Sequence, residues 1–550
     1  MPARIRRAAA AAAATLTATA LSSCGGGAAE SVDYAVDGAL LSYNTNTVAG
    51  AASGGPQAFA RVLTGFNYHG PEGQIVGDHD FGTIAVVGRA PLVLDYQIND
   101  KAVYSDGKPV TCDDLVLAWA SQSGRFPQFD AANRGGYSDV ASVECTPGQK
   151  RARVSFAPDR GFVDHGQLFS ATALMPSHVL ADQLGVDVTT ALTKGDLPTV
   201  ERIAEAWNTT WELQPSLNDE DLKKFPSSGP YKLESVTDEG AVTLVANDKW
   251  WGTKPVTNRI TVWPRGADIQ ERVNEGAYDV VDIAAGSSGT LNMPEDYVRT
   301  DSPSSGVEQL IFAPGGPLAA PPARRALAFC TPRDVIAGNA EVPIANSRLN
   351  PADEDAFAAA EVTGGEVSQF TAANPDAARD ALGNRPLIVR IGYQSPNARL
   401  AATVGAIARA CEPAGIRVVD AAGPKVGPLT LRANEIDVLI ASTGGATGSG
   451  STGSSALDAY ALHTGNGNNL SGYSNARVDG IIGALAVSND PKELARLLGE
   501  GAPILWADMP TLPLYRQQRT LLTSSKMYAV IGNPTRWGAG WNMDRWRLSQ

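Results

Sequence analysis

Apolar and polar positions along the chain fall into short runs rich in β-branched and aromatic residues, each bounded by turn residues, and such runs predict β-strands. The predicted strands are residues 40–42, 93–98, 102–104, 386–393, 416–419 and 435–442. Residues 397–411 carry apolar side chains at helical spacing, and Pro413 and Gly415 follow them, which predicts a long amphipathic helix. Because strands alternate with helices here, the pattern predicts βαβ units, a largely parallel sheet and an α/β fold.

A turn followed by the start of a helix is predicted at residues 105–114. Gly107 tolerates the positive φ of the turn, and the proline after it stops the preceding strand. Thr111 and Asp114 match a capping box, in which each side chain bonds the backbone amide of the other residue. The adjacent acids Asp113 and Asp114 could be taken for catalytic carboxylates. Since the helix dipole favours acids in a first turn, we interpret them as structural.

The N-terminal segment predicts export and lipid attachment. Three arginines at positions 4, 6 and 7 precede a largely apolar run at 8–21, which is too short to span a bilayer and is typical of a secretory signal peptide. Residues 21–24, Leu-Ser-Ser-Cys, resemble the bacterial lipobox, in which the cysteine is lipidated. We predict a signal peptide at 1–23, lipid on Cys24, a flexible tether at 24–33 and a place on the extracytoplasmic face of the cell membrane. An ordinary signal peptide followed by a chance cysteine is the alternative.

The composition is that of an acidic globular protein. Of 550 residues, 43% are apolar and 19% are charged, which argues against wholesale disorder. The formal net charge is −13, and loss of the three signal-peptide arginines takes it to −16. That charge, without an internal basic stripe, argues against a nucleic-acid partner. No apolar run of about 18 residues follows the N-terminus, so no membrane-spanning helix is predicted there.

Four cysteines remain after the lipobox cysteine: Cys112, Cys145, Cys330 and Cys411. An even number in an oxidising compartment favours structural disulfides, and four cysteines allow three pairings. No C-x-x-C motif occurs, so the sequence predicts neither a zinc site nor a thioredoxin-type redox site.

Enzyme motifs are weak. Residues 448–453 spell G-x-G-x-x-G, but five residues separate them from the preceding strand, whereas a dinucleotide fingerprint turns tightly from strand into helix. No serine satisfies G-x-S-x-G, and no H-E-x-x-H occurs. Asp78, His79 and Asp80 could form a metal or acid–base cluster, which we interpret as a solvated loop. A secreted lipoprotein hydrolase is kept as an alternative, although no catalytic residue, metal or cofactor is predicted.

Six motifs, in order along the chain, resemble those of one family. They are residues 102–114, 174–180, 228–231 with Asn247 and 250–251, 323–327, 473–479 and 508–515. The first reads A-V-Y-S-D-G-K-P-V-T-C-D-D, and the third begins S-G-P-Y. Together they resemble the oligopeptide-type solute-binding proteins of bacterial ABC importers, a group with peptide-binding and nickel-binding members.

The resemblance implies a two-lobed fold like that of type II periplasmic binding proteins, with mixed sheets, a discontinuous larger lobe and a hinge. It suggests lobe I at 34–265 plus 514–550 and lobe II at 266–513. Under that division the bridges Cys112–Cys145 and Cys330–Cys411 each stay within one lobe, and this pairing is the one we expect. The implied function is that of a non-enzymatic, monomeric lipoprotein that closes on a small-molecule or peptide ligand and delivers it to ABC permease subunits. A transporter-independent ligand sensor or chaperone is a further alternative.

Candidate ligand-binding residues follow predicted strands, because ligands of doubly wound lobes bind at the carboxyl ends of strands. They are Tyr43, Asn44, Asn46, Tyr393, Gln394, Ser442, Thr443, Asp458 and Tyr460. Peptide binders of the family usually hold the α-ammonium of the ligand with an aspartate shortly after the strand that corresponds to 436–442. Here residues 444–449 contain no acid, and the first one downstream is Asp458. We therefore expect a ligand that need not carry a free α-ammonium.

Overall fold

The structure is a computed structural model that describes residues 31–266, 268–349 and 365–549. Cys24 and the signal peptide predicted at 1–23 lie outside the described residues. The first strand begins at Ser31, so residues 31–33 of the segment predicted as a tether belong to that strand. Within the described ranges, no helix combines the length and the apolar character that a membrane crossing needs.

Most strands belong to one large mixed sheet. The strands are β1 (Ser31–Val36), β2 (Asn67–His69), β3 (Ile75–Gly77), β4 (Gly82–Arg89), β5 (Leu92–Ile98), β6 (Val140–Glu144), β7 (Arg151–Phe156), β8 (Tyr231–Val236), β9 (Val242–Ala246), β10 (Arg259–Trp263), β11 (Val280–Ala284), β12 (Tyr297–Phe312), β13 (Leu387–Gly392), β14 (Ile416–Asp420), β15 (Val438–Ala441), β16 (Thr511–Ser524), β17 (Met527–Tyr528) and β18 (Arg547–Leu548). The large sheet has the order β14-β13-β15-β12-β16-β11-β1-β10-β9-β8, and β4-β5-β7-β6 form a separate antiparallel sheet. In the large sheet β13 runs parallel to β14 and β15, as the βαβ pattern predicts, and β1 runs parallel to β10 and β11. The remaining pairs of this sheet are antiparallel, so it is mixed and not largely parallel as predicted.

Helices cover the strands and connect them. They are α1 (Val48–Ala51), α2 (Gly55–Phe59), α3 (Cys112–Gln122), α4 (Ser177–Leu184), α5 (Val188–Lys194), α6 (Leu197–Thr209), α7 (Asp219–Leu222), α8 (Ile269–Asn274), α9 (Pro321–Cys330), α10 (Arg333–Asn339), α11 (Gly365–Ser368), α12 (Pro375–Ala381), α13 (Ala398–Cys411), α14 (Pro428–Arg432), α15 (Ser455–Ala459), α16 (Ala476–Leu485) and α17 (Pro491–Asp508). The capping box predicted at the start of α3 is present, and the Asp114 carboxylate accepts the Thr111 amide at 3.1 Å. Asp113 accepts the Thr111 hydroxyl at 2.7 Å, so both acids have structural roles.

Two main hydrophobic cores divide the molecule. One is built mostly from residues between Val32 and Val280 and from the C-terminal stretch that includes Trp546. The other is built from residues between Leu310 and Tyr515. The disulfides follow this division: Cys112–Cys145 lies against the first core and Cys330–Cys411 lies within the second, which is the pairing expected from the sequence.

Two long strands, β12 and β16, connect the cores. Tyr297 at the start of β12 packs with Ala35 and Leu522, whereas Leu310 near its end belongs to the second core. The two strands pair with each other from Tyr297 and Ser524 to Ile311 and Thr511. Each strand therefore has one end in each lobe of the two-lobed fold.

The lobe boundary predicted at residue 266 does not coincide with this division. Ile269 in α8 and Val281 in β11 pack with Ala35 of β1, and β11 pairs with β1 along residues 280–282. The segment directly after residue 265 thus belongs with the first core, and the chain passes to the second only through β12.

Two short predicted strands do not form. Residue Ser42, in the strand predicted at 40–42, makes a single isolated bridge to Glu212. Val103, in the strand predicted at 102–104, makes one to Pro109. A short apolar run becomes a strand only where a neighbouring strand edge is available to pair with it.

Candidate functional site

A narrow cavity lies where the N-terminal half of the chain meets the loop after β15 and the C-terminal segment. Its walls are formed by Thr45, Asn46, Gln122, Ala132, Asn133, Gly135, Tyr137, Gln167, Leu168, Ser170 and Ala173, by Thr452 and Leu457 of the loop, and by Arg536 and Trp537. Its volume is about 50 Å³, which is room for a few water molecules or one small polar group. A larger solute can enter only if the walls move apart.

Contacts across the cavity rim hold the two lobes together. The side-chain amide of Asn133 donates to the Leu457 carbonyl at 2.9 Å. The backbone amide of Asn468 donates to the Ala132 carbonyl at 2.7 Å, and an ion pair joins Arg432 to Asp130 at 2.8 Å. The structure therefore shows a closed form.

Arg536 supplies the cavity with a positive charge. Among the described residues, none accepts a hydrogen bond from its guanidinium and no carboxylate oxygen lies within ion-pair distance, although Asp458 acts on it through its charge. Burial lowers the pKa of Arg536 below its ordinary 12.5, and the negative charge of Asp458 partly opposes that shift. Arg536 is partly buried and has no carboxylate at ion-pair distance, so this site favours an anionic partner.

Other polar atoms of the cavity residues also have no partner within the described part of the chain. They are Thr45 Oγ1, Gln122 Nε2, Gln167 Nε2 and Trp537 Nε1, all of them buried. A carboxamide can present either its nitrogen or its oxygen, and a hydroxyl can donate or accept, whereas an indole N–H only donates. Buried polar groups are normally hydrogen-bonded, so unpartnered atoms concentrated around one cavity indicate a place where a polar ligand binds.

Asp458 lies beside this cavity, but its own loop occupies its carboxylate. One oxygen accepts the Ser451 hydroxyl at 2.5 Å, and the other accepts the Thr452 amide and hydroxyl, both at 2.8 Å. Burial raises the pKa of Asp458 to about 6, although these hydrogen bonds and the charge of Arg536 oppose the shift. The carboxylate therefore holds the loop in shape and is not free to reach a ligand.

Of the residues predicted from strand ends, Asn46 lines the cavity, where its side-chain amide also donates to the Thr172 carbonyl at 2.9 Å. Its neighbours do not line it. The Tyr43 hydroxyl donates to the Pro226 carbonyl at 3.1 Å inside the first core, and Asn44 donates to the Trp207 carbonyl at 3.0 Å. Both side chains stabilise the segment that carries Asn46.

The residues predicted in the second half of the chain lie outside the cavity wall. Tyr393 belongs to the second core, and Gln394 accepts the backbone amide of Ala39 at 3.1 Å, a contact between the lobes. The Ser442 hydroxyl accepts the Gly450 amide at 3.2 Å, and Thr443 is buried in the same loop. Tyr460 stacks on His463 with ring centroids 4.9 Å apart.

Sequence reasoning missed Arg536 and Trp537. They follow β16 in a C-terminal segment that returns to the first core, and the Arg536 amide donates to the Ser451 carbonyl at 2.9 Å. The expectation that ligands bind at the carboxyl ends of parallel strands does not apply to such a segment, because it does not directly follow a parallel strand. The only local signal is an arginine next to a tryptophan in the polar stretch 533–538.

The cluster at Asp78, His79 and Asp80 is structural. Asp78 pairs with Arg61 at 3.0 Å, and Asp80 accepts the Thr253 amide at 3.0 Å. In the described part of the chain, one grouping has the spacing of metal ligands, Cys112 and Cys145 with Asp113, but both of its cysteines are in a disulfide.

Comparisons with known proteins agree on one family for this chain. Residues 90–458 match the model for bacterial extracellular solute-binding proteins, family 5. A protein of Mycobacterium tuberculosis described as an uncharacterized lipoprotein is 67% identical over 531 residues, which are 96% of this chain and 95% of the relative. The oligopeptide-binding protein OppA of the same species is 28% identical over 332 residues, 58% of this chain and 50% of that protein.

Solved structures show the same fold. A periplasmic EDTA-binding protein, EppA, superposes with a TM-score of 0.72 at 18% identity and covers 94% of this chain and 96% of its own. The oligopeptide-binding protein AppA of Bacillus subtilis, in complex with a nonapeptide, superposes with a TM-score of 0.73 at 14% identity, covering 94% and 99%.

Proposed function

This chain belongs to family 5 of the bacterial extracellular solute-binding proteins, which are binding proteins and not enzymes, and we propose that it captures a peptide-like or other polar solute between its lobes for an ABC transporter. A hydrolase is thereby set aside. The observation that carries the proposal is the cavity at Arg536, where both lobes contribute walls and polar atoms lack partners.

We propose that the lobes are divided at the middle of β12 and β16. Lobe I then comprises residues 31–303 and 518–549, and lobe II lies between them. The packing of β11 on β1 supports this division, as does the change of core along β12. Opening about these strands would separate the loop that carries Thr452 from the walls that carry Gln122 and Tyr137, which would enlarge the cavity enough for a solute.

The membrane location is also part of the proposal. Relatives that are 67% and 66% identical are described as lipoproteins of Mycobacterium tuberculosis and Mycobacterium leprae. With lipid on Cys24, the protein would stay at the extracytoplasmic face, where a released ligand can pass to permease subunits as the monomer reopens. A tether between the lipidated Cys24 and the first strand at Ser31 would suit such an encounter because it would let the binding protein reorient.

The test is to identify what the protein carries. Full-length protein purified without unfolding should release a bound solute detectable by mass spectrometry. The same solute, added back at about 100 times its Kd, should stabilise the folded state by roughly 2.7 kcal/mol. The test variant is Gln122→Ala, which removes a cavity amide. That variant should lose much of the shift, whereas substitution of the exposed Glu239 by Gln should keep it. Protein that carries no solute and shifts with none would contradict the proposal.

A further inference from the structure

Resting on the proposed solute-binding function, we infer that the ligand carries an anionic group, a carboxylate, phosphate or sulfonate, that binds between Arg536 and the indole N–H of Trp537. Both groups can only donate hydrogen bonds, and both lie in the cavity wall. The indole nitrogen of Trp537 is buried without a hydrogen-bond partner, and the guanidinium of Arg536, which is partly exposed, bonds no side chain or carbonyl of the described residues. A guanidinium and an indole N–H that both face one cavity can donate hydrogen bonds to the acceptor oxygens of an anion.

The acid that could form an ion pair with Arg536 is occupied by other hydrogen bonds. Asp458, the acid whose charge acts on Arg536, accepts hydrogen bonds from the Ser451 hydroxyl and from Thr452 on both of its oxygens. It stabilises the loop at a distance from the guanidinium and does not form an ion pair with it. The positive charge of Arg536 is therefore available to a ligand.

The backbone around Arg536 is held by hydrogen bonds in the closed form. Its amide donates to the Ser451 carbonyl at 2.9 Å. The carbonyl of the nearby Pro534 accepts the Ser449 hydroxyl at 2.9 Å, and the Asn533 side chain accepts the Thr535 amide at 2.8 Å. These bonds fix the position of the Arg536 backbone at the cavity wall when the lobes are closed.

The cavity size agrees with an anionic head group. About 50 Å³ holds a few waters in the closed form, and a carboxylate or phosphate could replace them. The remainder of a longer ligand would need the space that lobe opening provides. The charge also discriminates between ligands, because a buried cationic group next to Arg536 would be repelled.

The inference is tested with matched probe pairs on the full-length protein. The pairs are N-acetyl-dialanine with its C-terminal amide, and glycerol 3-phosphate with glycerol, measured by calorimetry beside any solute released from the native protein. We expect that the released solute is an anion and that at least one anionic probe binds better than its uncharged partner. Arg536→Gln should weaken that binding by about 30-fold or more, and Trp537→Phe by about tenfold. Arg536→Lys, which keeps the charge, should retain part of it.

The control is Arg417→Gln, which removes the same charge from an exposed position on β14 and should leave binding unchanged. Thermal unfolding without ligand shows whether each variant is folded, and Trp537→Phe and Arg536→Lys carry the test if Arg536→Gln is not. A neutral or cationic solute that binds wild type and Arg536→Gln equally would overturn the inference and leave the proposed function intact. Wild-type protein that carries no solute and binds no probe would overturn both.

Discussion

The backbone amide of Arg536 donates to the carbonyl oxygen of Ser451 at 2.9 Å, and this bond joins the C-terminal segment to the loop after β15. The Ser451 hydroxyl also donates to Asp458, so the backbone of Arg536 and the acid whose charge acts on it both bond to the same residue. The electrostatic field inside the cavity therefore depends on lobe closure. Opening that separates the two segments would remove Asp458 from the neighbourhood of Arg536.

Asp458 should make stability depend on pH in an unusual direction. Burial raises its pKa to about 6 from an ordinary 3.8, so between about pH 4 and pH 6 the folded state binds more protons than the unfolded state. Stability therefore falls as pH rises through that window. This one group should lower the free energy of unfolding by roughly 2 kcal/mol between pH 4 and pH 7.

Urea titrations of wild type, Asp458→Asn and the exposed control Glu239→Gln measure this effect. The decrease should be absent from Asp458→Asn and present in the control. Parallel profiles for wild type and Asp458→Asn would show that Asp458 does not titrate with a raised pKa.

Free α-ammonium groups should not be required in the ligand. Residues 444–449 carry no acid, and both oxygens of Asp458 are occupied by Ser451 and Thr452, so a buried ammonium would lack a counter-ion. N-acetylated peptides or non-peptide solutes should therefore raise the melting temperature at least as much as free peptides. If free peptides alone stabilise the protein and Asp458→Asn abolishes the effect, Asp458 is the ammonium anchor after all.

Cys24 should carry the membrane anchor. Cys24→Ala should release the protein from membranes into the medium, because one acylated cysteine is the only attachment that the sequence predicts. Fractionation after a high-salt wash separates anchored from peripheral protein, and intact-mass measurement detects the lipid. Variant protein that resists the wash would show a second attachment.

The disulfides should stabilise each lobe separately. The bridges span 33 and 81 residues, and chain entropy gives each on the order of 3–5 kcal/mol. Paired serine substitutions at Cys330 and Cys411 should lower the free energy of unfolding by about that amount while leaving ligand binding in folded protein unchanged. Non-reducing peptide mapping that linked Cys112 to Cys330 or Cys411 would contradict the pairing.

The buried ion pair beside the lobe junction should be sensitive to removal of one partner. Arg399 lies 2.9 Å from Glu308, which also accepts the Gln517 side-chain amide at 2.8 Å. Arg399→Met leaves the Glu308 carboxylate without its cation and should cost about 3–5 kcal/mol. Urea unfolding measures the cost beside Arg417→Gln, whose surface change should be nearly neutral. Equal midpoints for the two variants would show that the pair contributes little.

Local features of the fold could be predicted where the signal lies within a few residues. The capping box at Thr111 and Asp114 and the helix α13 before Pro413 are examples, since each depends on adjacent turns of chain. The lobe boundary could not be located in this way. It depends on β11 pairing with β1, which lies some 250 residues earlier, and no pattern within residues 266–284 reports that partner.

The candidate site was predicted less well for a related reason. Rules about strand ends identified Asn46 and the neighbourhood of Asp458, but they assigned ligand contact to Tyr43, whose ring completes the first core. Arg536 comes to the cavity through the return of the C-terminal segment. The role of Arg536 rests on the absence of an ion-pair partner for its guanidinium. That absence depends on which residues surround it in the fold, and the sequence does not show it.

The pairing of β12 with β16 has a mechanical consequence. The two strands are hydrogen-bonded to each other on both sides of the register shift between Pro303 and Val307. The lobes are therefore joined by a two-stranded β-ribbon and not by two separate strands. A ribbon flexes easily across its flat face and resists shear within its plane. Bending of the lobes across the flat face of this ribbon should therefore be easier than shear within its plane, and a solute that contacts both lobes would favour the closed end of that bending.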